Sequence, residues 1–270
     1  MKRIINKIPS KSTSLFLMLL PFIMIMLVYV YSSKERHKDN PNDKLLPSFE
    51  QSINSMKKLA FEPNKRNGEY ILLNDTMASL KRLAIGVSIS AGFALIFGIA
   101  IGVIPYLNSL FSPMIWTFSL IPTMAVLPIL FIVFGLGELS KVVLIILGVA
   151  PIIAREIYQR VKEIPIEQII KVQTLGANTW QIIIRVILPQ ILPRLIDAIR
   201  ITLGTAWIFL ISAEAISATE GLGYRIFLVR RYLAMDVILP YVIWITVLAF
   251  LFDYLLKRLN HKIFPWFGKE

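Results

Sequence analysis

Apolar stretches long enough to cross a bilayer alternate with polar segments along most of this chain. About 20 helical residues cross ~30 Å of hydrocarbon, so each stretch predicts one membrane span. Lipid offers no hydrogen-bonding partner to backbone N–H and C=O groups, so these groups must bond within each segment. The spans are therefore predicted to be helices. The stretches are 14–32, 83–106, 111–134, 139–158, 198–218 and 237–256. The predicted fold class is therefore an all-α membrane protein with six transmembrane helices.

The first apolar stretch follows a basic start with Lys2, Arg3, Lys7 and Lys11. Signal peptides and first membrane spans share this pattern. The apolar run is about 18 residues, enough to span, and no small-x-small cleavage site follows it. An uncleaved span is therefore favoured over a signal peptide, and 1–32 is predicted to hold the amino terminus and the first transmembrane helix.

The segment 33–82 is polar, with ten Lys/Arg and seven Asp/Glu residues. This charge excludes a membrane crossing. Mixed signs and a few hydrophobic pairs predict short helices on the outer face of the membrane. The remaining chain divides into a five-helix core, 83–258, with a cytoplasmic loop at 159–197, and a tail at 259–270.

Six spans place both termini and the 159–197 loop on one side of the membrane. Basic residues mark the cytoplasmic side of membrane proteins, and they occur at the amino terminus, in the loop and in the tail. Arg225, Arg230 and Arg231 lie on the opposite side in this topology and are the main discrepancy. Cytoplasmic termini are predicted.

Composition narrows the function classes. Hydrophobic residues make up 56% of the 270-residue chain, and its net charge of +12 is scattered among spans and loops. Attraction to lipid headgroups explains that charge without a nucleic-acid partner. The sequence has no cysteine and only two histidines, His37 and His261, both in polar flanks. We predict no catalytic residues and no metal site.

The segment 169–193 is polar and basic between two apolar spans. Pro165 suits the first turn of a helix, and Gly176 suits its left-handed end. Asn178 or Thr179 then suits the cap of a second helix. A helix, a glycine break and a second helix predict a structured knob. Two interpretations stay open from these residues: a knob held by another protein, or an amphipathic helix pair lying on lipid.

Gly176, nine residues and then Val186-x-Leu188-Pro189 resemble the cytoplasmic loop of ABC importer permeases. The family pattern is Glu-Ala-Ala, three residues, Gly, nine residues and Ile-x-Leu-Pro. Here Ile170, Lys171 and Val172 occupy the Glu-Ala-Ala positions, so the motif glutamate is missing.

Further segments resemble the nitrate, sulfonate and taurine permeases of that family. The similarity covers about residue 45 to 267, in order and with compatible spacing. A shorter segment, 61–66, resembles a branch found near urea- or guanidine-handling genes. The segments similar to the main subfamily are 75–82 with Gly86, 121–128, 134–137, 174–177, 213–214, 218–224 and 264–266.

The resemblance implies the type I ABC importer permease fold, with the knob as a coupling helix-turn-helix. It implies a bacterial inner-membrane homodimer, a separate ATPase dimer in contact with the knob, and an extracytoplasmic solute-binding protein. The chain has no Gly-x4-Gly-Lys-Ser/Thr phosphate loop, so ATP and Mg are expected on the ATPase and no cofactor on this chain. The implied coupling residues are Lys171, Gln173, Thr174, Leu175, Gly176, Ala177, Trp180, Leu188 and Pro189.

Candidate residues of the substrate pathway are polar side chains within spans. Glu214 is costly in a bilayer unless it faces protein or water. It either lines the pathway or is a structural carboxylate bonded to a neighbouring helix. Pro122 leaves carbonyl groups free inside a helix, where they either line a cavity or mark a packed kink. The full candidate set is Ser119, Thr123, Ser212, Glu214 and Ser217.

An intramembrane enzyme is a poor alternative, because no span contains Cys or His and no nucleophile and base are paired. A membrane scaffold that binds a cytoplasmic partner without transport is the second candidate function. Gly92, Gly98 and Gly102 are predicted to allow close helix approach.

Overall fold

Helices form all the regular secondary structure in the residues that this computed structural model describes, 9–40, 43–63 and 68–267. The all-α class is thereby confirmed. The predictions that rest on Lys2, Arg3, Lys7, 64–66 and Lys269 fall outside these residues. The helices are α1 (Lys11–Asp39), α2 (Phe49–Phe61), α3 (Ile71–Val103), α4 (Pro105–Ser119), α5 (Thr123–Phe134), α6 (Glu138–Lys162), α7 (Ile166–Thr174), α8 (Thr179–Ile182), α9 (Leu188–Ser217), α10 (Leu222–Arg230) and α11 (Met235–Ile263).

The chain divides into two compact units, 1–58 with 229–240, and 59–228 with 241–270. In the first unit, α1 continues past residue 32, where the first span was predicted to end. Its last turns find polar partners: Ser33 Oγ donates to the Leu46 carbonyl at 3.0 Å, and Arg36 pairs with Asp43. The Leu45 N–H and the Arg36 guanidinium hold the pKa of Asp43 below its usual range.

The second unit is built on α3 and α6, which lie side by side. Gly86 of α3 faces Ile145 of α6, Gly98 faces Ile157, and Gly102 faces Val161. These pairs advance in the same direction along both helices, so α3 and α6 run parallel. Of the three glycines predicted to allow close approach, Gly98 and Gly102 do so, whereas Gly92 faces open space.

Three helices in the described ranges, α1, α3 and α11, are long and apolar enough to span a membrane. The pair α4 and α5 is a fourth candidate if it forms one span. The six-span prediction is therefore confirmed only in part. At two of the six predicted spans, the helices α6 and α9 do not meet this criterion. Both contain charged residues as well as much of the buried core.

The predicted span at 111–134 is not one straight helix. The chain bends by 96° between α4 and α5, which makes either a broken span or a re-entrant loop. Pro122 follows directly on the break at Leu120 and Ile121. A proline lacks an N–H and pushes the residue before it out of the helical region, which explains the position of the bend.

Helix α3 begins at Ile71, before residue 83, where the second span was predicted to start. Its first turns bury polar side chains, including Asp75, Ser79 and Arg82. A helix can bury such groups where each finds a hydrogen-bonding partner, and a hydropathy pattern does not reveal those partners.

Replacing Gly98 with alanine is expected to lower the thermal midpoint of the purified protein. An added Cβ would lie 2.7 Å from Ile157 Cγ2 and 3.0 Å from the Ala154 carbonyl oxygen, so the helices must separate. Overpacking of this kind costs about 1–3 kcal/mol. Gly92→Ala, on the same helix, is the matched control and should leave the midpoint unchanged or slightly raised. Equal midpoints for both variants would contradict the close packing of α3 on α6.

Candidate functional sites

The knob consists of α7, a glycine turn and α8. Helix α7 ends in a Schellman motif, in which the Ala177 N–H bonds to the Val172 carbonyl at 3.2 Å and the Gly176 N–H bonds to the Gln173 carbonyl at 2.9 Å. Gly176 has φ +84°, as its predicted role requires. Asn178, one of the two predicted caps, forms a capping box with Gln181 and starts α8.

The turn of the knob presents two large apolar side chains to solvent. Leu175 is 80% exposed and Trp180 is 70% exposed. Lys171, Gln173 and Thr174 are also exposed, and Ala177 is half-buried. The backbone hydrogen bonds fix the turn without these side chains, so they are free to contact another molecule.

The knob continues directly into α9. A π-helical turn, Ile183–Ile187, joins α8 to α9, and the half-buried Leu188 and Pro189 form the first turn of α9. Asn260 of α11 donates to the Pro193 carbonyl and to Asp197, both at 3.1 Å. The start of α9 is therefore held by α11.

A second cluster surrounds Glu214, which is fully buried in α9. Its carboxylate accepts hydrogen bonds from Ser79 Oγ at 2.7 Å, from Arg82 Nη1 at 2.7 Å and from the Gly223 N–H at 2.8 Å. Arg82 is only 3% exposed and also donates to Glu138 at 2.9 Å. These contacts match the structural alternative for Glu214, a carboxylate bonded to a neighbouring helix.

Asp75 extends this cluster by one helical turn. It is 1% exposed, accepts from the Gly221 N–H at 3.0 Å and pairs with Arg225 at 2.8 Å. The Tyr241 hydroxyl donates to the same carboxylate at 3.1 Å. Together the two carboxylates connect α3 with α9, α10 and α11.

The other predicted pathway residues do not bond to Glu214. Ser119 lies at the end of α4 and Thr123 at the start of α5, on either side of the bend. The hydroxyls of Ser212 and Ser217 bond to carbonyls of their own helix, at 2.7 and 3.3 Å. The five residues thus form two groups, one at the bend and one at the end of α9.

Asp75, Ser79 and Arg82 form one buried face of α3 that was not predicted from the sequence. Their spacing of four and three residues places them on the same side of a helix, a signal that depends on α3 starting at Ile71. Arg155 was missed as well. Its guanidinium lies 3.5 Å from the centre of the Trp116 ring, and its Nη1 lies 3.5 Å from Ser119 Oγ.

Discontinuous membrane helices, such as the bent α4–α5 pair, are a recurring feature of membrane transporters. The family model of the binding-protein-dependent transport system inner membrane component matches residues 92–265. The chain belongs to this family. It is an ABC transporter permease, as the resemblance implied.

Known relatives support the assignment. The permease is 36% identical over 192 residues to the taurine transport system permease protein TauC of Escherichia coli (strain K12), covering 71% of this chain and 70% of TauC. It is 28% identical over 208 residues to the putative aliphatic sulfonates transport permease protein SsuC of Bacillus subtilis (strain 168), covering 77% and 75%.

A solved structure confirms the fold. The structure of a bacterial alginate ABC transporter, in complex with its alginate pentasaccharide-bound periplasmic protein, contains a chain that matches the permease with a TM-score of 0.63. The match covers 94% of the permease and 96% of that chain at 14% identity. The predicted type I ABC permease fold is thereby confirmed.

Arg82→Gln is expected to destabilise the permease by about 3–5 kcal/mol, because it leaves the Glu214 carboxylate buried without a cation. Glu214→Gln should cost less, since Arg82 keeps Glu138. The double variant Arg82→Gln/Glu214→Gln should recover part of the loss seen with Arg82→Gln alone. The thermal midpoints of the four proteins in one detergent measure this coupling. Additive losses would contradict a direct role for the ion pair.

Proposed function

We propose that the permease couples ATP hydrolysis on a separate ATPase dimer to alternating access for a small polar solute. The observation that carries this proposal is the pair of exposed apolar side chains, Leu175 and Trp180, on a turn fixed by its own backbone. Buried aromatic residues dominate the binding energy of protein interfaces, so a rigid, exposed tryptophan suits a partner's groove. Helix α9 connects that contact directly to the core.

The proposed assembly is a homodimer of the permease in a bacterial inner membrane, with six spans in each copy and both termini in the cytoplasm. ATP and Mg are bound by the ATPase, and this chain holds no cofactor. A solute-binding protein delivers the solute to the extracytoplasmic side. The domain limits that follow are 1–32, 33–82, 83–258 with the coupling loop 159–197, and 259–270.

A taurine- or sulfonate-type solute is proposed, because the names of two relatives describe taurine and aliphatic sulfonate transport. Ser119, Thr123, Ser212, Glu214 and Ser217 are kept as proposed pathway residues. A urea- or guanidine-like solute is the alternative tested beside it. The alternative function is a membrane scaffold, which would bind a cytoplasmic partner through the same knob but would not transport a solute.

The proposal is tested with the permease and its cognate ATPase in lipid discs, together with the solute-binding protein. Taurine, ethanesulfonate, urea and guanidine are compared as solutes. Stimulation of ATP hydrolysis by the loaded binding protein is expected, and Gly176→Pro should abolish it, since proline cannot adopt the left-handed φ at this position. A stable complex without stimulation by any of these solutes would favour the scaffold.

Trp180→Ala is expected to weaken binding of the ATPase by about 10- to 30-fold, the usual effect of removing an interface anchor. The loss should occur without a change in thermal midpoint, because the side chain is 70% exposed. Leu136→Ala is the control, since Leu136 is 62% exposed but lies between α5 and α6. Binding of the Trp180 variant at the original affinity would contradict the proposed contact.

A further inference from the structure

Among the arginines that the structure describes, one half-buried arginine in a helix of the core has no carboxylate partner. Among the described residues, Arg82, Arg160, Arg200 and Arg225 each bond to Asp or Glu. Arg155, in α6, contacts only the Trp116 ring and Ser119. Its charge is therefore not compensated by an ion pair within the described chain.

We propose that Arg155 binds the anionic group of the proposed sulfonate-type solute. This inference rests on the proposed function. It adds a solute-binding residue at the bend, where two of the proposed pathway residues, Ser119 and Thr123, already lie.

The contacts of Arg155 leave it able to bind such a group. The ring of Trp116 covers one face of the guanidinium at 3.5 Å, whereas the N–H donors project from the edge. Only Nη1 is near an acceptor, the Ser119 hydroxyl, at the long distance of 3.5 Å. A planar guanidinium held by stacking on an aromatic ring presents paired donors that fit a carboxylate or sulfonate.

The cost of a charge in a membrane indicates which way the open edge of Arg155 faces. An arginine within a membrane protein is stable where it meets protein or water, and not where it meets lipid. Arg155 is half-buried, and its helix packs on both α4 and α5. The open edge is therefore expected to face a water-filled space beside the bend.

The bend adds a second source of positive potential. Helix α5 has twelve residues, begins at Thr123, and no side chain caps its first turn. The amino-terminal end of a helix carries a partial positive charge, and broken membrane helices use such ends to face anionic solutes. Ser119 ends the preceding helix, four positions before Thr123, and its Oγ lies 3.5 Å from Arg155 Nη1.

The negative charge of Glu214 does not offset the preference of the bend for an anionic solute. Its carboxylate is fully buried and already paired with Arg82, and it accepts from Ser79 and Gly223 as well. Among the proposed pathway residues and their neighbours, the charge without a partner is thus the positive charge of Arg155. A cationic solute such as guanidine is disfavoured next to Arg155, and an oxoanion is favoured.

The test uses the absence of cysteine from the natural sequence. Ser119→Cys introduces a single thiol beside Arg155 in the permease–ATPase complex in lipid discs. The complex is treated separately with an anionic reagent, 2-sulfonatoethyl methanethiosulfonate, and a cationic one, 2-trimethylammonioethyl methanethiosulfonate. Each rate is divided by the rate of the same reagent with a small free thiol.

The anionic reagent is expected to react about tenfold faster than the cationic one on this corrected scale, because a fixed charge raises the local concentration of opposite ions. Arg155→Gln in the Ser119→Cys background should bring the ratio close to one, and Arg155→Lys should keep most of it. Arg258→Gln removes the same charge from an exposed site on α11 and should leave the ratio unchanged. Added ethanesulfonate should slow the modification.

Three outcomes would each overturn the inference: equal corrected rates for the two reagents, no modification by either reagent, or a ratio that Arg155→Gln leaves unchanged. The labelling rates do not depend on transport, so they are separable from the proposed function. If solute is taken up but the labelling rates show no charge preference, only the proposed role of Arg155 is contradicted, and the proposed function is not. A charge preference without uptake of any solute would contradict the importer and leave only an anion site.

As a second measurement, Arg155→Gln is expected to lower kcat/KM for sulfonate uptake by about tenfold, the loss expected from removing one charged partner of the solute. The affinity of the complex for its ATPase should stay the same, which a general structural defect would not allow. Arg155→Lys should restore part of the uptake. Unchanged uptake of the sulfonate by Arg155→Gln would overturn the inference.

Discussion

The core depends on the ion pair between Arg82 and Glu214, because the Glu214 carboxylate is fully buried and Arg82 is its cationic partner. Removing an ion from water costs several kcal/mol, and this cost is offset only where the partner and further hydrogen bonds are in place. The segment 221–223 also packs closely against this pair. A Cβ on Gly221 would lie 2.6 Å from Glu214 Cδ, and one on Gly223 would lie 2.5 Å from the Ile211 carbonyl oxygen. Only glycine fits at these positions.

The parallel packing of α3 and α6 explains why apolar length alone did not count the spans. The centre of α6 is apolar and fully buried at Leu144, Ile145 and Val149, whereas both its ends carry charges. Such a helix needs protein around it more than lipid. Glu138 and Lys141, at its first turns, bond to each other, and Glu138 also bonds to Arg82. A hydropathy pattern records these charges but not their partners.

Local features were predictable from the sequence, and distant pairings were not. The Gly176 turn, the Asn178 cap and the all-helical class follow from residues within a few positions of each other. Asp75 and Ser79 meet partners near residue 221, well over a hundred positions away, so a single sequence gives no sign of the pairing. The bend at Pro122 was predictable only in part. Proline indicates a possible break, but the chain is equally apolar on both sides of it, so the pattern predicted one span.

The position of α9 relates the two candidate sites to one another. Its 30 residues rise about 45 Å from the knob to Ser217, and Glu214 lies in its last turn. In the proposed importer, a displacement at the knob would reach the Arg82–Glu214 pair through one continuous helix. The π-helical turn and Pro193 make this helix less stiff at its start. Because Arg82 and Ser79 both bind Glu214, α9 cannot shift along α3 without breaking charged hydrogen bonds. In the proposed importer, the Glu214 end of α9 is fixed to α3, and the knob end, which is bonded to α11 through Asn260, can move only together with α11.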